Sequence, residues 1–183
     1  MQRELVERAR DGDRNAFAEL AAASIARLFN IAQLMLHDRD LADDAVQETL
    51  VQAWRDLRSL RDPDGFDAWL HRVLVRCVYR EADRERRRST SSVHLPAAGV
   101  DPDASSNIAD RDAIDRAFKR LSPEHRVVLV LHHYLGFSDD EAAAAMAVPA
   151  GTVKSRLSRA KSALRSALEA DARGGGLAME SVR

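Results

Sequence analysis

The chain has very little of the residues that form cross-links, tight turns and sheets. Cys77 is the single cysteine among 183 residues, so no internal disulfide can form, which fits a reducing cytoplasm. Eight glycines and five prolines leave few turns, and no alternating apolar pattern is long enough for a sheet. We therefore predict an all-α fold, with two small helical domains joined by a flexible linker.

Features of several other protein classes are also missing from the sequence. We find no apolar run of membrane-spanning length and no signal peptide, so we expect a cytoplasmic protein without membrane insertion. No nucleophile with a base, phosphate-binding glycine loop or paired buried carboxylates can be recognised, so we expect neither an enzyme nor a cofactor. The formal net charge is −1, so the distribution of charge carries the information.

A basic helix with an apolar seam follows Pro149. Apolar residues recur at steps of three and four from Val153 to Leu168, and no acidic residue stands between Gly151 and Leu168. Thr152 is the predicted N-cap. A solvated basic helix would show the same pattern. The candidate DNA-contacting residues of this helix are Thr152, Lys154, Ser155, Arg156, Ser158, Arg159 and Lys161.

A second, shorter helix precedes the basic one. Ser138 and Glu141 form a capping-box pattern, and an alanine-rich helix over residues 139–146 ends before Pro149, which cannot extend a helix from within. A short helix, a tight turn and a basic helix together predict a helix-turn-helix.

Another amphipathic helix is predicted over residues 41–57, with Asp40 as its N-cap. Asp44, Gln47 and Glu48 stand at positions i, i+3 and i+4, so they share one exposed face. Such a cluster suits a basic partner surface. An acidic first turn that complements the helix dipole is the alternative explanation.

A loop over residues 58–65 leads into a helix that begins at Phe66. Four arginines, Arg72, Arg76, Arg80 and Arg84, step by four along one face of this helix, an arrangement that can follow a phosphate backbone. Pairing of arginines with acidic neighbours on the same helix is the alternative.

Residues 89–109 are rich in serine and show no periodicity, which predicts a flexible linker. We place the first domain at residues 1–88, the second at 110–172 and a disordered tail at 173–183. His125, His132 and His133 lack a cysteine partner and convergent carboxylates, so we predict no metal site.

Three motifs of the second half resemble region four of bacterial sigma factors, and are most similar to the small extracytoplasmic-function (ECF) group. They are Leu121-Ser122-Pro123-Glu124-His125-Arg126, Ser138 to Glu141, and Gly151-Thr152-Val153-Lys154-Ser155-Arg156-Leu157-Ser158-Arg159-Ala160. The sequence departs from the family pattern at Ala142, where isoleucine is usual, and at Ala147, where the turn usually has glycine. Alanine at a positive φ is strained by roughly 1 kcal/mol.

The first half resembles region two of the same family, through Asp44-Ala45-Val46-Gln47-Glu48-Thr49 with Ala53-Trp54, and through Phe66, Trp69, Leu70 and Arg72. The family often has Asn and Asp where Arg76 and Arg80 stand. The resemblance implies that Asp44, Gln47 and Glu48 bind RNA polymerase core. It implies minus-ten promoter contacts from the loop and the following helix, at Arg58, Arg61, Trp69, Arg72, Arg76 and Arg80.

A sigma factor is thus the function that the resemblance implies. Its partners would be the beta-prime and beta subunits of RNA polymerase core, promoter DNA and an anti-sigma factor, with the basic helix reading the minus-thirty-five element. A free-standing helix-turn-helix regulator that dimerises on a palindromic operator is the main alternative, but it leaves the Asp44 cluster without a role. A helical adaptor that does not touch DNA leaves the basic helix unexplained.

Overall fold

The structure is a computed structural model that describes residues 1–89 and 108–180. Every regular element in these two ranges is helical, which confirms the predicted fold class. The chain divides into two compact units, the first built on the first four helices and the second on later ones. Most of the predicted linker, residues 90–107, and the last three residues lie outside the described part.

Four helices form the first unit: α1 (Gln2–Arg10), α2 (Arg14–Leu36), α3 (Arg39–Asp56) and α4 (Phe66–Ser89). Two short 3₁₀ turns, Leu57–Ser59 and Pro63–Gly65, connect α3 to α4. The starts of the helices follow from local chemistry. Asp13 accepts hydrogen bonds from the backbone amides of Asn15 and Ala16, as an N-cap aspartate does.

The cap of α3 differs from the prediction. Asp38, not Asp40, is the N-cap, and its side chain accepts a hydrogen bond from the amide of Leu41 at 3.0 Å. Asp40 lies inside the first turn, where a negative charge favours the helix dipole. His37, at φ 58°, closes α2 in the left-handed region just before this cap, and this sharp reversal moves the start of α3 two residues earlier than predicted.

α2 is the central core helix of the first unit. It packs against α1, α3 and α4 and buries Leu28, Ile31 and Met35 completely, each worth roughly 1.5–3 kcal/mol of transfer free energy. α2 has the length and mean hydropathy of a membrane-spanning helix, a test that the core helix of a water-soluble protein also passes. Its other face carries Ile25 and Leu34, which are 45% and 39% exposed.

The second unit contains α5 (Ile108–Lys119), α6 (Pro123–Leu129) and α8 (Ala150–Glu180). α8 packs against both α5 and α6. α7 (Asp139–Met146) stands between α6 and α8 in the chain. Ser122 caps α6 by accepting from the amide of His125. The capping box predicted at the start of α7 is confirmed, because Ser138 and Glu141 exchange backbone-to-side-chain hydrogen bonds.

A single π-helical turn, Val130–Tyr134, extends α6. The amide of Leu135 donates to the carbonyl of Val130, five residues earlier. This wider turn shifts the register of the following residues, and Tyr134 is 60% exposed. Ile114 of α5 is also largely exposed, at 49%.

α8 is longer than the basic helix predicted from sequence. It begins at Ala150, so Thr152 lies in its first turn and is not the N-cap; the carbonyl of Pro149 accepts from the amides of Thr152 and Val153. It continues to Glu180, through residues 173–180 that were expected to lie in a disordered tail.

Candidate functional site

The acidic face predicted on α3 is present in the structure. Asp44 and Gln47 are exposed and Glu48 is half-buried, whereas Ala45, Val46 and Thr49 are buried on the opposite side. The hydroxyl of Thr49 donates to the carbonyl of Ala45 at 2.6 Å, so this buried polar group is satisfied inside the helix. The packing of α3 therefore fixes which side chains face solvent.

Glu48 differs from its two neighbours because it has a partner on another helix. Arg80 of α4 places Nη2 at 3.6 Å from Glu48 Oε1. The same Arg80 Nη2 donates to the buried sulfur of Cys77 at 3.1 Å. A residue predicted to bind polymerase and a residue predicted to bind DNA are thus joined to each other.

The arginine ladder of α4 is not uniform. Arg76 is exposed and forms no ion pair with a described residue, whereas Arg84 pairs with the almost fully buried Glu81 three residues earlier. Arg72 is half-buried. The alternative of structural pairing is therefore confirmed for Arg84. For Arg80 the acidic partner is on a neighbouring helix, not on its own.

The loop between α3 and α4 is anchored by apolar side chains. Leu57 and Leu60 are 1% and 6% exposed, and Pro63 is buried. Between and beside these anchors Arg58 and Arg61 extend into solvent. We therefore find the two predicted loop arginines exposed on a segment whose backbone is held by the core.

Trp69, the predicted aromatic contact on α4, is half-buried. Its ring lies 6.0 Å from that of Phe66, with a tilted geometry. The other tryptophan, Trp54 of α3, is also half-buried and packs on Phe17, with ring centroids 5.0 Å apart. Trp69 accordingly keeps part of one ring accessible, while Phe66, at 2% exposure, holds it in place.

α8 has a buried apolar side and an exposed basic side. Val153, Leu157 and Ala160 are buried, which confirms this part of the apolar seam. The opposite, solvent-facing surface presents five of the predicted DNA-contacting residues, and we call it the α8 basic face: Lys154, Ser155, Ser158, Arg159 and Lys161.

Two predicted contacts of α8 do not lie on this face. The side chain of Arg156 is only 20% exposed, and its Nη2 lies 3.5 Å from Oε2 of Glu124 on α6. Thr152 is half-buried, and its carbonyl accepts a hydrogen bond from the hydroxyl of Ser155. Arg156 therefore ties α8 to α6, and the exposed arginine of the motif is Arg159.

Arg126, in the Leu121–Arg126 motif, is also unavailable as a surface charge. It is 7% exposed, and burial lowers the pKa of its guanidinium to about 10. Its Nε has no hydrogen-bond partner among the described residues. Arg126 therefore belongs to the interior of the second unit.

His132 and His133 are neighbours in the π-helical turn of the second unit. Within the described ranges no group of three or more His, Cys, Asp or Glu side chains could hold a metal ion. The rings of His132 and His133 are in edge contact at 4.9 Å. Burial, Lys161 and His132 lower the pKa of the exposed His133, so its neighbourhood is basic, as an anionic partner would require.

Comparison with known proteins identifies the family. The profile of sigma-70 region 2 matches residues 20–88, and that of sigma-70 region 4 matches residues 111–164. The chain is 32% identical over 155 residues to the ECF RNA polymerase sigma factor SigM of Mycobacterium tuberculosis, covering 84% of this chain and 77% of that protein. It is 33% identical over 153 residues to the RNA polymerase sigma-E factor of Streptomyces avermitilis, covering 84% and 85%.

Solved structures give the same assignment. The sigma factor RpoE of Bartonella quintana, crystallised with the anti-sigma factor NepR, superposes with a TM-score of 0.67 at 28% identity, covering 85% of this chain and 98% of RpoE. CnrH, in complex with the cytosolic domain of CnrY, has a TM-score of 0.60 at 29% identity, covering 93% and 98%. The chain belongs to the ECF group of the sigma-70 family. It functions in promoter-directed initiation of transcription by RNA polymerase.

Proposed function

We propose that Asp44, Gln47 and Glu48 on α3 form the surface that docks on RNA polymerase core, on a basic helical surface of the beta-prime subunit. Exposed carboxylate and amide groups on a rigid helix suit such a partner, because complementary charge speeds and orients association. The support is the division of α3 into a buried face and an exposed acidic face.

The α8 basic face is proposed to read the minus-thirty-five element in the major groove. Lys154 and Arg159 can reach base edges or phosphates, and Ser155 and Ser158 are short enough to let the helix approach closely. The single observation that carries the proposal is the outward orientation of these side chains, while Val153 and Leu157 hold the other side of α8 in the core.

The minus-ten element would be bound by the first unit, through Arg58 and Arg61 of the loop and Trp69, Arg72, Arg76 and Arg80 of α4. Base stacking and phosphate contacts are the two ways in which proteins hold a separated strand, and these residues supply both. The two units would be weak binders alone and become avid once polymerase fixes their spacing. Domain boundaries at 88, 109 and 172 are part of this proposal.

The chain would act in the cytoplasm, would catalyse no reaction of its own, and would be held inactive by an anti-sigma partner. The support for that partner is the complex in which the similar RpoE is held by NepR. A tagged chain recovered from cells with its promoter silent should carry a stoichiometric protein that is absent when the promoter is active. Recovery of the chain alone in both states would contradict this part of the proposal.

Run-off transcription from a linear template library tests the polymerase and promoter contacts. Purified bacterial core polymerase should give new start sites only when the chain is added. Replacing Asp44, Gln47 and Glu48 by alanine should abolish these starts, whereas Asp43→Ala, an exposed acidic neighbour on α3, should leave them.

The α8 contacts are tested on the promoter that this experiment reveals. Lys154→Ala and Arg159→Ala should each weaken promoter binding by about 1–3 kcal/mol where a base contact is lost. Tight duplex binding without polymerase, and no new starts, would contradict the proposed mode of action.

A further inference from the structure

The N-terminal helix α1 contacts the segment that carries the predicted minus-ten loop. Arg3 donates from Nη1 to Oδ2 of Asp64 at 2.5 Å, and Gln2 donates from Nε2 to Oδ1 of Asp67 at 3.1 Å. Asp64 is the middle residue of the Pro63–Gly65 turn, and Asp67 lies in the first turn of α4. Nothing in the sequence pattern connected α1 with this loop.

The loop's own hydrogen bonds leave Asp64 free to accept from α1. Asp62 caps the 3₁₀ turn, accepting from the amide of Asp64 at 3.1 Å, and the amide of Gly65 donates to the carbonyl of Asp62 at 3.1 Å. The backbone of the turn is therefore closed by Asp62. The carboxylate of Asp64 takes no part in this closure and accepts from Arg3.

A third contact lies at the start of α4, just after the turn. Arg27 of α2 forms two hydrogen bonds to the carboxylate of Asp67, at 2.6 and 3.3 Å. Burial alone would raise the pKa of Asp67, but Arg27 and the amide of Gln2 outweigh burial and lower it. Asp67 is therefore ionised and holds both α1 and α2 beside the start of α4.

We propose that α1 is a brace for the minus-ten loop, with Arg3 and Gln2 as positioning residues that set where Arg58 and Arg61 meet the separated strand. This inference rests on the proposed minus-ten function of the loop. Arg3 and Asp64 are both more than half exposed, so their ion pair alone is weak. Its effect is on the placement of the loop, and hence on discrimination between bases, more than on overall affinity.

The test is a charge exchange measured in holoenzyme. Arg3→Asp and Asp64→Arg are made singly and together, and transcription is compared on the promoter and on a version with one minus-ten base replaced. The ratio of the two rates cancels any uniform change in attraction to DNA. Each single variant should lower this ratio by about two- to fivefold, and the double variant should restore most of it. Arg10→Asp makes the same charge change on α1, at a residue without an ion pair to any described residue, and should leave the ratio unchanged.

Three results would overturn the brace. Wild-type protein that gives no polymerase-dependent transcript would remove the proposed function and the brace together. If the wild-type protein discriminates between the two promoters and both single variants give the same ratio of rates, the proposed role of α1 is wrong while the proposed minus-ten function stands. A loss in the single variants that the exchange fails to restore would show that local damage to the fold, and not this contact, sets the ratio.

Discussion

Arg80 of α4 and Glu48 of α3 are joined by an ion pair, with Nη2 3.6 Å from Oε1. The pair links the helix predicted to meet polymerase with the helix predicted to meet promoter DNA. Both side chains are partly exposed, 46% and 33%, so the pair contributes at most about 1 kcal/mol. It nevertheless distinguishes Arg80 from Arg76, one turn earlier on the same helix, which has no ion pair with a described residue.

Arg76 should carry more of the phosphate contact than Arg80. Arg76 is exposed without a described ion pair, whereas Arg80 must give up part of its interaction with Glu48 and Cys77 before it binds a phosphate. For holoenzyme on single-stranded minus-ten DNA, Arg76→Ala should reduce the slope of log affinity against log salt by about 0.7. Arg80→Ala should reduce it by clearly less. Equal reductions would show that the pair with Glu48 costs nothing to open.

Local chemistry explains which features were predictable from the sequence. The caps Asp13, Ser122 and Ser138 with Glu141 act on amides two or three residues away, so the sequence pattern contains both partners. The apolar seam of α8 is likewise readable from its period of three and four.

The unpredicted features depend on partners far apart in the chain or on irregular turns. Glu124 with Arg156, and Arg3 with Asp64, are separated by more than thirty residues, and no periodicity relates them. The π turn at Val130–Tyr134 breaks the period itself, so a regular helical period does not predict the exposure of Tyr134. The exposed positions of the candidate site were therefore easier to predict than the pairs that fix them.

Asp171 should stabilise the second unit through two arginines of the α5 region. Its carboxylate, 7% exposed, accepts from Arg116 Nε at 2.9 Å and lies 2.7 Å from Arg120 Nη2. Asp171→Asn should weaken the docking of α8 on α5 by about 1 kcal/mol, since both arginines are half exposed. Backbone amides of α5 should then exchange with solvent about fivefold faster. Glu169→Gln, an exposed residue of α8 without a described ion pair, should leave these amides unchanged; equal protection in both variants would rule out the role of Asp171.

The first unit should lose stability as the pH falls below about 6.5. His71 is 9% exposed, and burial, with the charge of Arg27, lowers the pKa of its imidazole against the opposing effect of Asp67. The folded state therefore disfavours the protonated ring, while the unfolded chain takes up the proton from near its ordinary pKa of 6.5. The stabilisation is complete above that pH and is lost as the pH falls toward and through the lowered value.

Urea unfolding at pH 7.5 and 5.5 measures this dependence. The urea midpoint of the wild-type protein should be lower at pH 5.5 than at pH 7.5. His71→Gln should make the difference between the two midpoints smaller. His133→Gln, at an exposed histidine of the second unit, should not flatten the response of the first unit. The pKa of Asp67 is also lowered, but its stabilisation is fully present above its ordinary pKa of 3.8 and is lost only as the pH falls below that value. Asp67 therefore does not titrate between pH 5.5 and 7.5. An unchanged pH dependence in His71→Gln would exclude His71 as its source.

Ala147, in the turn between α7 and α8, should be a site where glycine stabilises the protein. Its φ is 53°, in the left-handed region, where an L-residue with a Cβ is strained by about 1–2 kcal/mol. Glycine removes this strain but gains freedom in the unfolded chain. Ala147→Gly should therefore raise the free energy of unfolding by about 0.5–1 kcal/mol.

The same substitution three residues earlier provides the control. Ala144 is exposed inside α7, where glycine costs about 0.5–1 kcal/mol relative to alanine. Thermal unfolding should thus shift upward for Ala147→Gly and downward for Ala144→Gly. If both variants shift downward, the turn accepts alanine without strain. The departure from the glycine usual in this family would then carry no stability cost, and relief of backbone strain could not be used to strengthen this half of the protein.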